Sequence, residues 1–600
     1  MRWLSLPLLM LVGIASLHAA EPPEGIQPWN GAAVTDWTNH EQPIVITDLT
    51  QAEPADAFSD DFRRGHWKVI PYEMRPDSGG YKGKAVWCGY EADPPSLRIK
   101  LNAEGWHAIF VGFLSLTGAY VKLDQDPAPL WLNNPIRDYY VNSVDTYFKA
   151  AELTKDSTLT ISPKRHGSRQ PAGITSIMLI PLTEAEVQRL QRDRADTSNR
   201  RLVATADGFS SICGNSPRTV EECLAEIEYY RNTDFGTLIY HGGWSGDKTI
   251  YPSRVGYLPG LELEDVCQDY HRDFIDAVRE LADKGINPLK VIIEGAHEMG
   301  MKVHVGMRPG GWSYYQPFNG LWDSPFYLNN PQWRCRDHAS RDSAEITRMS
   351  WAVPEVRRHI IDLLMEQVGF GADGAHIVFN RGFPMVLFEE PFCKLFRDKH
   401  GVDPNELDEN DPRIVEMWSD IITLFFKELR AELDKEEARR DNGQPIEISI
   451  MVLGTHEDNY HYGLDIRRLV NEGLIDEIQI YPYGFGNVLP GSLYDEAFFK
   501  EVCEPAGVRY YPTVDPPYDV TGQLGRALEL YDGGAPGLCY WDAGHVDRPT
   551  WAIQSRLGHP EEVRWRREHV NTDDYPESIR FYKWWGDQRM DVRYPPYWGG

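Results

Sequence analysis

Leu202-Val203-Ala204-Thr205-Ala206-Asp207 is an apolar, β-type run that ends on an acid, and Thr237-Leu238-Ile239-Tyr240-His241 repeats the pattern further along the chain. Between the two runs, Val220, Leu224, Ile227 and Tyr230 fall on one helical face. An apolar run, an amphipathic helix and a second apolar run make a βα unit of a parallel sheet. Working outward, further runs stand at 303–307, 376–379, 447–453, 477–481, 509–514 and 537–541. Helical stripes separate them: Phe274, Val278 and Leu281; Val356, Ile360, Leu363 and Leu364; and a long one from Ile414 through Trp418, Ile421, Phe425 and Leu429 to Leu433. Eight strands alternating with helices predict an α/β fold of the (β/α)8 TIM-barrel type. The alternative is an open doubly wound sheet, but no GxGxxG or GxxxxGK[ST] fingerprint follows the first run.

Upstream, residues 21–195 alternate short β-type runs (67–70, 97–101, 107–112, 120–123, 158–161, 174–180) with Pro/Gly/Asp turns, which predicts an N-terminal β-sandwich domain. A charged segment at 183–196 reads as a short helix and linker, so the barrel domain, with a C-terminal extension, is assigned to 196–600. Residues 1–20 carry Arg2, an apolar Leu-rich run and then Ala19 and Ala20, the layout of a secretory signal peptide. The expected location is therefore secreted or periplasmic, with no membrane insertion of the mature chain, since the run is shorter than the roughly 20 residues of a spanning helix. The net charge of -29 disfavours nucleic acid as a partner, because phosphate binding depends on cationic side chains. Eight scattered cysteines form no CxxC pair, so no structural metal site is expected, although exported chains can form disulfides. His297 and Glu298 adjoin without HExxH spacing and read as structural. No cofactor motif is present. The connection from Arg308 to Met349 is dense in Trp, Tyr and Phe, which marks it as a functional loop.

Barrel enzymes place their chemistry at the C-terminal ends of the strands. Those ends offer Asp207; Tyr240, His241 and Trp244; Arg308 and Trp312; Asn380 and Arg381, with Glu390 in the loop beyond; His456 and Glu457; Tyr481 and Tyr483; Asp515; and Trp541, Asp542 and His545. Glycoside cleavage needs two carboxyl groups, one protonated and one ionised. Asp515 and Asp542 are the preferred catalytic pair because each directly follows a strongly β-type run, and Glu390 is the third candidate. The remaining residues are assigned to substrate binding, with Trp244, Trp312 and Trp541 as stacking platforms and Arg308 and Arg381 as holders of an acidic substituent. Any one of these acids also fits a bland role as a helix cap or an arginine partner.

The run Val291-Ile292-Ile293-Glu294-Gly295-Ala296-His297-Glu298-Met299-Gly300-Met301-Lys302-Val303-His304-Val305 resembles the helix-to-strand segment of the family 10 glycosylhydrolase-like bacterial barrel proteins. So do Gly374-Ala375-His376-Ile377-Val378-Phe379-Asn380-Arg381-Gly382 and Phe396-Arg397-Asp398-Lys399-His400-Gly401-Val402-Asp403-Pro404. The resemblance spans about residues 200–560 and implies a barrel acting on polysaccharide-derived glycosides. It also implies an Asp near the end of strand four, where this chain has Asn380; the Glu pair expected of retaining barrel glycosidases at strands four and seven is likewise absent, since strand seven offers Asp515. The expectation is a glycoside hydrolase with a carbohydrate substrate. The rivals are a carbohydrate-binding barrel without turnover and a metal-assisted hydrolase on the same scaffold.

Overall fold

The computed structural model describes residues 43–74, 81–135, 142–260, 269–314, 319–340, 345–482, 494–515, 520–542, 548–569, 579–585 and 588–589. The leader 1–20, Tyr483 and His545 lie outside the described residues, as does the side chain of Trp244.

Eight parallel strands form the expected barrel: β1 (Leu202–Ala206), β2 (Phe235–Ser245), β3 (Lys302–Met307), β4 (Gly374–Val378), β5 (Glu447–Val452), β6 (Glu477–Ile480), β7 (Arg509–Pro512) and β8 (Leu538–Trp541). Each pairs in parallel with its neighbour in chain order, and β8 returns to β1. The ring closes where Thr513 and Cys539 bridge in parallel and the Val514 N–H donates to the Cys539 carbonyl at 3.4 Å. A closed ring rules out the open-sheet alternative. The apolar helix stripes read from the sequence pack outside it, except that the first helix, Val220–Ala225, ends before Ile227 and Tyr230 and leaves Val220 exposed; the longest stripe belongs to Pro412–Arg440, started by an Asp411 cap on the Arg413 N–H. β4 ends before Phe379, one residue short of the expected run.

The barrel interior is polar at its lower layers. His304, His376, Ser449 and Glu447 are all buried and hydrogen-bonded across β3, β4 and β5. Glycine makes the room: a Cβ on Gly374 would stand 2.7 Å from His304 Cδ2 and 2.7 Å from the Glu447 carbonyl oxygen.

Preceding the barrel are an antiparallel sheet of four strands and a larger sheet that is antiparallel except for the parallel edge pairing of Phe58–Ser59 with Trp67–Met74. Leu97, Ile99, Val121, Leu132, Leu159 and Ile161 of the former share one apolar cluster with Trp67, Val86, Val111, Phe113, Ile177 and Leu179 of the latter. The larger sheet also takes a strand from the far end of the chain: Ile579–Trp585 pairs with Trp67–Met74 and with Asn142–Leu153. The expected helix is Glu184–Ala195, opened by a capping box between Thr183 and Glu186. Its Asp193 accepts from Arg556 at 2.8 and 2.9 Å, and Arg556 also donates to Glu562 at 2.8 Å, which pins this helix to the last barrel helices.

The Arg308–Met349 connection is not a bare loop. It folds into helical turns at Asn319–Trp322 and Pro325–Asn329 and a hairpin of Arg334–Arg336 with Glu345–Met349. Among the described residues, seven cysteines are buried free thiols, so no disulfide joins them. No described helix is long and apolar enough to cross a membrane.

Gly374→Ala tests the interior packing. Adding a methyl against a backbone carbonyl and an enclosed imidazole should lower unfolding free energy by about 1–3 kcal/mol in urea melts. An unchanged midpoint would show that the histidine layer is loose.

Candidate functional site

The C-terminal rim brings together Asp207, His241, Arg308, Arg381, Asp515, Trp541 and Asp542, which stand far apart in the chain. Closure explains the carboxyl pair: Thr513 and Cys539 are bridged, so Asp515 and Asp542, just beyond them on β7 and β8, emerge side by side. Asp542 has φ 49°, a left-handed conformation uncommon for a residue other than glycine. The turn is held by hydrogen bonds. The Asp542 N–H donates to the Thr205 carbonyl at 2.6 Å, while its Oδ1 accepts from the Asp207 N–H and its Oδ2 from the Ser210 hydroxyl, each at 3.1 Å.

Asp207 is buried and ion-paired with Arg308, which reaches across from the end of β3. The guanidinium carbons of Arg308 and Arg381 lie 5.1 and 5.0 Å from the centre of the Trp541 ring, so one indole carries two cations. Tyr481 and His241 flank the same indole, with ring centres 6.0 Å away in each case. Asn380 is buried and donates to the Tyr481 carbonyl at 3.4 Å.

Electrostatics divides the three acids. Burial pushes the Asp207 carboxyl up, but Arg308 above all, with the hydrogen bonds of Ser210, holds the group below the ordinary carboxylate range. Burial lifts Asp542 to about 6, helped by the charge on Asp207. Burial also lifts Asp515 to about 7, with Asp542 adding to it and the Trp541 N–H opposing. Burial and the neighbouring Arg308 push His241 down to about 3, so its imidazole is neutral. Burial and Arg308 lower Arg381 to about 10. One firmly ionised acid beside two that titrate near neutrality is an arrangement suited to proton transfer.

Other sequence candidates lie elsewhere. Glu390 is the first residue of the helix Glu390–His400, largely exposed and ion-paired with Arg397; the cap position Glu389 is the buried acid, held by the Ser350 hydroxyl. Trp312 is 1% exposed, donates its indole N–H to the Pro309 carbonyl at 2.8 Å and packs beside Phe326 and His359, so its face is covered. His456 stacks on Phe498 and Glu457 is exposed in the first turn of the helix His456–His461. Tyr240, on the opposite face of β2 from His241, is buried in the apolar layer between the strands and the surrounding helices. Ser210 was missed by sequence reading, because a serine in a short helix carries no signal until Asp542 is seen against it. Among the described residues, no group of three or more His, Cys, Asp or Glu side chains is arranged to hold a metal ion.

No protein-family model and no curated protein matches the chain. Among solved structures, the chain is similar to a cycloisomaltooligosaccharide glucanotransferase from Paenibacillus sp. at 9% identity and a TM-score of 0.31, over 75% of this chain. It spans about half of that protein, 53%. It is also similar to the catalytic domain of a beta-amylase from Paenibacillus polymyxa (10% identity, 62% of this chain, 99% of that one, TM-score 0.34). A third similarity is to the CBM22-1-GH10 modules of a Clostridium thermocellum endo-1,4-beta-D-xylanase (11% identity, 85% and 96% covered, TM-score 0.28). Similarities at these scores carry no weight for activity. The closed ring of eight strands defines the chain by itself as a (β/α)8 barrel protein.

Asp515→Asn should raise stability. An acid lifted from 3.8 to about 7 on folding keeps its proton while the unfolded chain has released it, so stability falls as pH rises from about 4 to about 7. The amide removes that slope and should add about 2–4 kcal/mol at pH 8 in denaturant titrations. Equal pH slopes in both proteins would mean Asp515 is not raised.

Proposed function

We propose that the protein is a secreted glycoside hydrolase that cleaves a polysaccharide or oligosaccharide with Asp515 and Asp542 as its two carboxyl groups. Export would depend on residues 1–20, and a β-sandwich over 21–195 would precede the catalytic barrel. The observation that carries this reading is the pair of raised carboxyls beside the Trp541 ring. Asp515, the more easily protonated, gives its proton to the departing glycosidic oxygen. Asp542, oriented by the Asp207 N–H and the Ser210 hydroxyl, acts as the ionised partner that attacks the sugar or activates water. Trp541, half-buried under Arg308 and Arg381, forms the wall of the site beside both acids, and the two guanidinium groups on it are the donors a sugar hydroxyl would meet.

Asp542 must be ionised and Asp515 protonated at once, so kcat/KM should follow a narrow bell with limbs near pH 6 and pH 7. Release of reducing ends from a polysaccharide panel checks it. Asp515→Asn and Asp542→Asn should each lower the rate by about 10²–10⁴-fold while the fold persists. Full activity in both variants would remove these acids from the mechanism.

Asn380 favours a second reading, a barrel that binds carbohydrate without cleaving it, because an amide stands where the resembled proteins carry an acid. It predicts saturable glycan binding, unchanged by either Asp-to-Asn substitution, and no products.

A further inference from the structure

We infer that Arg348, on the hairpin inserted after β3, is a positioning residue that fixes where Arg381 stands on the Trp541 ring. Arg308 is followed by Pro309 and Gly310, and Arg381 by Gly382. The backbones of the two glycines are in direct contact: a Cβ on Gly310 would stand 2.8 Å from the Gly382 carbonyl oxygen and 3.2 Å from its Cα. A Cβ on Gly382 would stand 2.9 Å from Pro309 Cγ. The segments leaving β3 and β4 therefore meet just beyond the two arginines, at a seam too narrow for any side chain.

Arg348 lies across that seam. Its Nε–H donates to the Gly382 carbonyl at 3.1 Å, and the same nitrogen would be 3.1 Å from a Cβ on Gly310. The hairpin that carries it is anchored on both sides. Toward β3, the Trp312 N–H donates to the Thr347 carbonyl at 3.0 Å. Toward β4, the Phe388 N–H donates to the Arg336 carbonyl at 2.8 Å and the Trp351 N–H to the Met385 carbonyl at 2.9 Å. Buried Glu389 clasps the same segments, accepting from the Ser350 hydroxyl, from the Leu387 N–H at 3.2 Å and from the Arg336 N–H at 3.3 Å.

The two rim arginines depend on this buttress unequally. The segment of Arg308 is also held from β2: the Gly246 N–H donates to the Arg308 carbonyl at 3.2 Å, and the Ser245 hydroxyl reaches the Gly310 and Gly311 carbonyls at 3.1 and 2.7 Å. Its side chain is tied to Asp207. Loss of Arg348 therefore acts first on Gly382 and on Arg381 beside it. Arg381 feels the charge of Asp542, and that attraction is mutual, so a displaced Arg381 leaves Asp542 easier to protonate. Asp542 also faces Asp207, Arg308 and Asp515, which are carried by β1, β3 and β7. This role rests on the hydrolase reading only for its effect on rate, since the placement of Arg381 is measured without turnover.

The test uses the full chain with 13C-labelled aspartate carboxyls, titrated from about pH 4 to about pH 9, and crystal structures of the variants. The Asp542 signal is assigned by its absence in Asp542→Asn. Arg348→Met keeps a long side chain but no donor; it should raise the Asp542 midpoint by about half a pH unit or more and shift Arg381 from its place 5.0 Å from the Trp541 ring centre. Arg348→Lys keeps a donor and should stay nearer the wild type. Gly310→Ala leaves Arg348 intact but drives a methyl against the Gly382 carbonyl, and should move the midpoint the same way. A lower urea midpoint with an unmoved Asp542 titration in Arg348→Met and Gly310→Ala would reveal a merely structural role and overturn the inference. Arg381 unmoved in Arg348→Met, or equal shifts in the methionine and lysine variants, would overturn it too. If Arg348→Met does not fold, Gly310→Ala decides alone. Absence of glycan cleavage by the wild type would sink the hydrolase reading and leave this titration test standing.

Discussion

The ion pair between Arg308 and Asp207 organises the mouth of this barrel. Both side chains are largely buried, at 13% and 6% exposure, so neither charge is well hydrated and each depends on the other. Losing one partner of such a pair typically costs about 3–5 kcal/mol, because the other is stranded. The pair also spans the ring, from the end of β3 to the end of β1, across His241 on β2. Three neighbouring states follow from it. Asp207 stays ionised, and its charge helps to lift Asp542; the Arg308 cation helps to keep His241 neutral; and the guanidinium rests on Trp541.

Below that layer the barrel departs from the usual filling of branched apolar side chains. Glu447, His304, Ser449 and His376 occupy it as one hydrogen-bonded column, anchored at the bottom by Lys302 and Arg509. A buried polar network is stable only when its members are satisfied, and this one is satisfied from Glu447 up to His376 Nδ1. Unpaired nitrogens appear only at the top, where the column meets the site. Gly374 and Gly306 belong to the same design: a Cβ on Gly306 would stand 2.8 Å from His376 Cβ, so both histidines fit only because their neighbours have no side chain.

The barrel was legible because its information is local. Each strand from β1 to β8 is an apolar run between amphipathic helices, and that periodicity survives without knowledge of any partner. The rim set followed from strand ends alone, and Asp207, His241, Arg308, Arg381, Asp515, Trp541 and Asp542 do converge. What the sequence did not show depends on three-dimensional neighbours. Glu390 looked equivalent to Asp515 until its helix turned it toward Arg397 and solvent. Trp312 looked like a platform until the folded 308–349 segment covered it. The strand Ile579–Trp585 sits far in sequence from the sheet it joins, so no local pattern links them.

Asp542 shows how the site is held ready. A non-glycine residue at φ 49° is strained, and such strain persists where the surroundings fix it. Here the fixing groups all belong to β1 and the turn after it: the Thr205 carbonyl, the Asp207 N–H and the Ser210 hydroxyl. The same segment supplies the Asp207 charge that raises the Asp542 carboxyl. Geometry and proton affinity of this acid are therefore set by one short stretch of chain, and that stretch is positioned in turn by Arg308. A change at Ser210 that kept the fold would relax the orientation of Asp542 and its acidity together, because one hydrogen bond serves both.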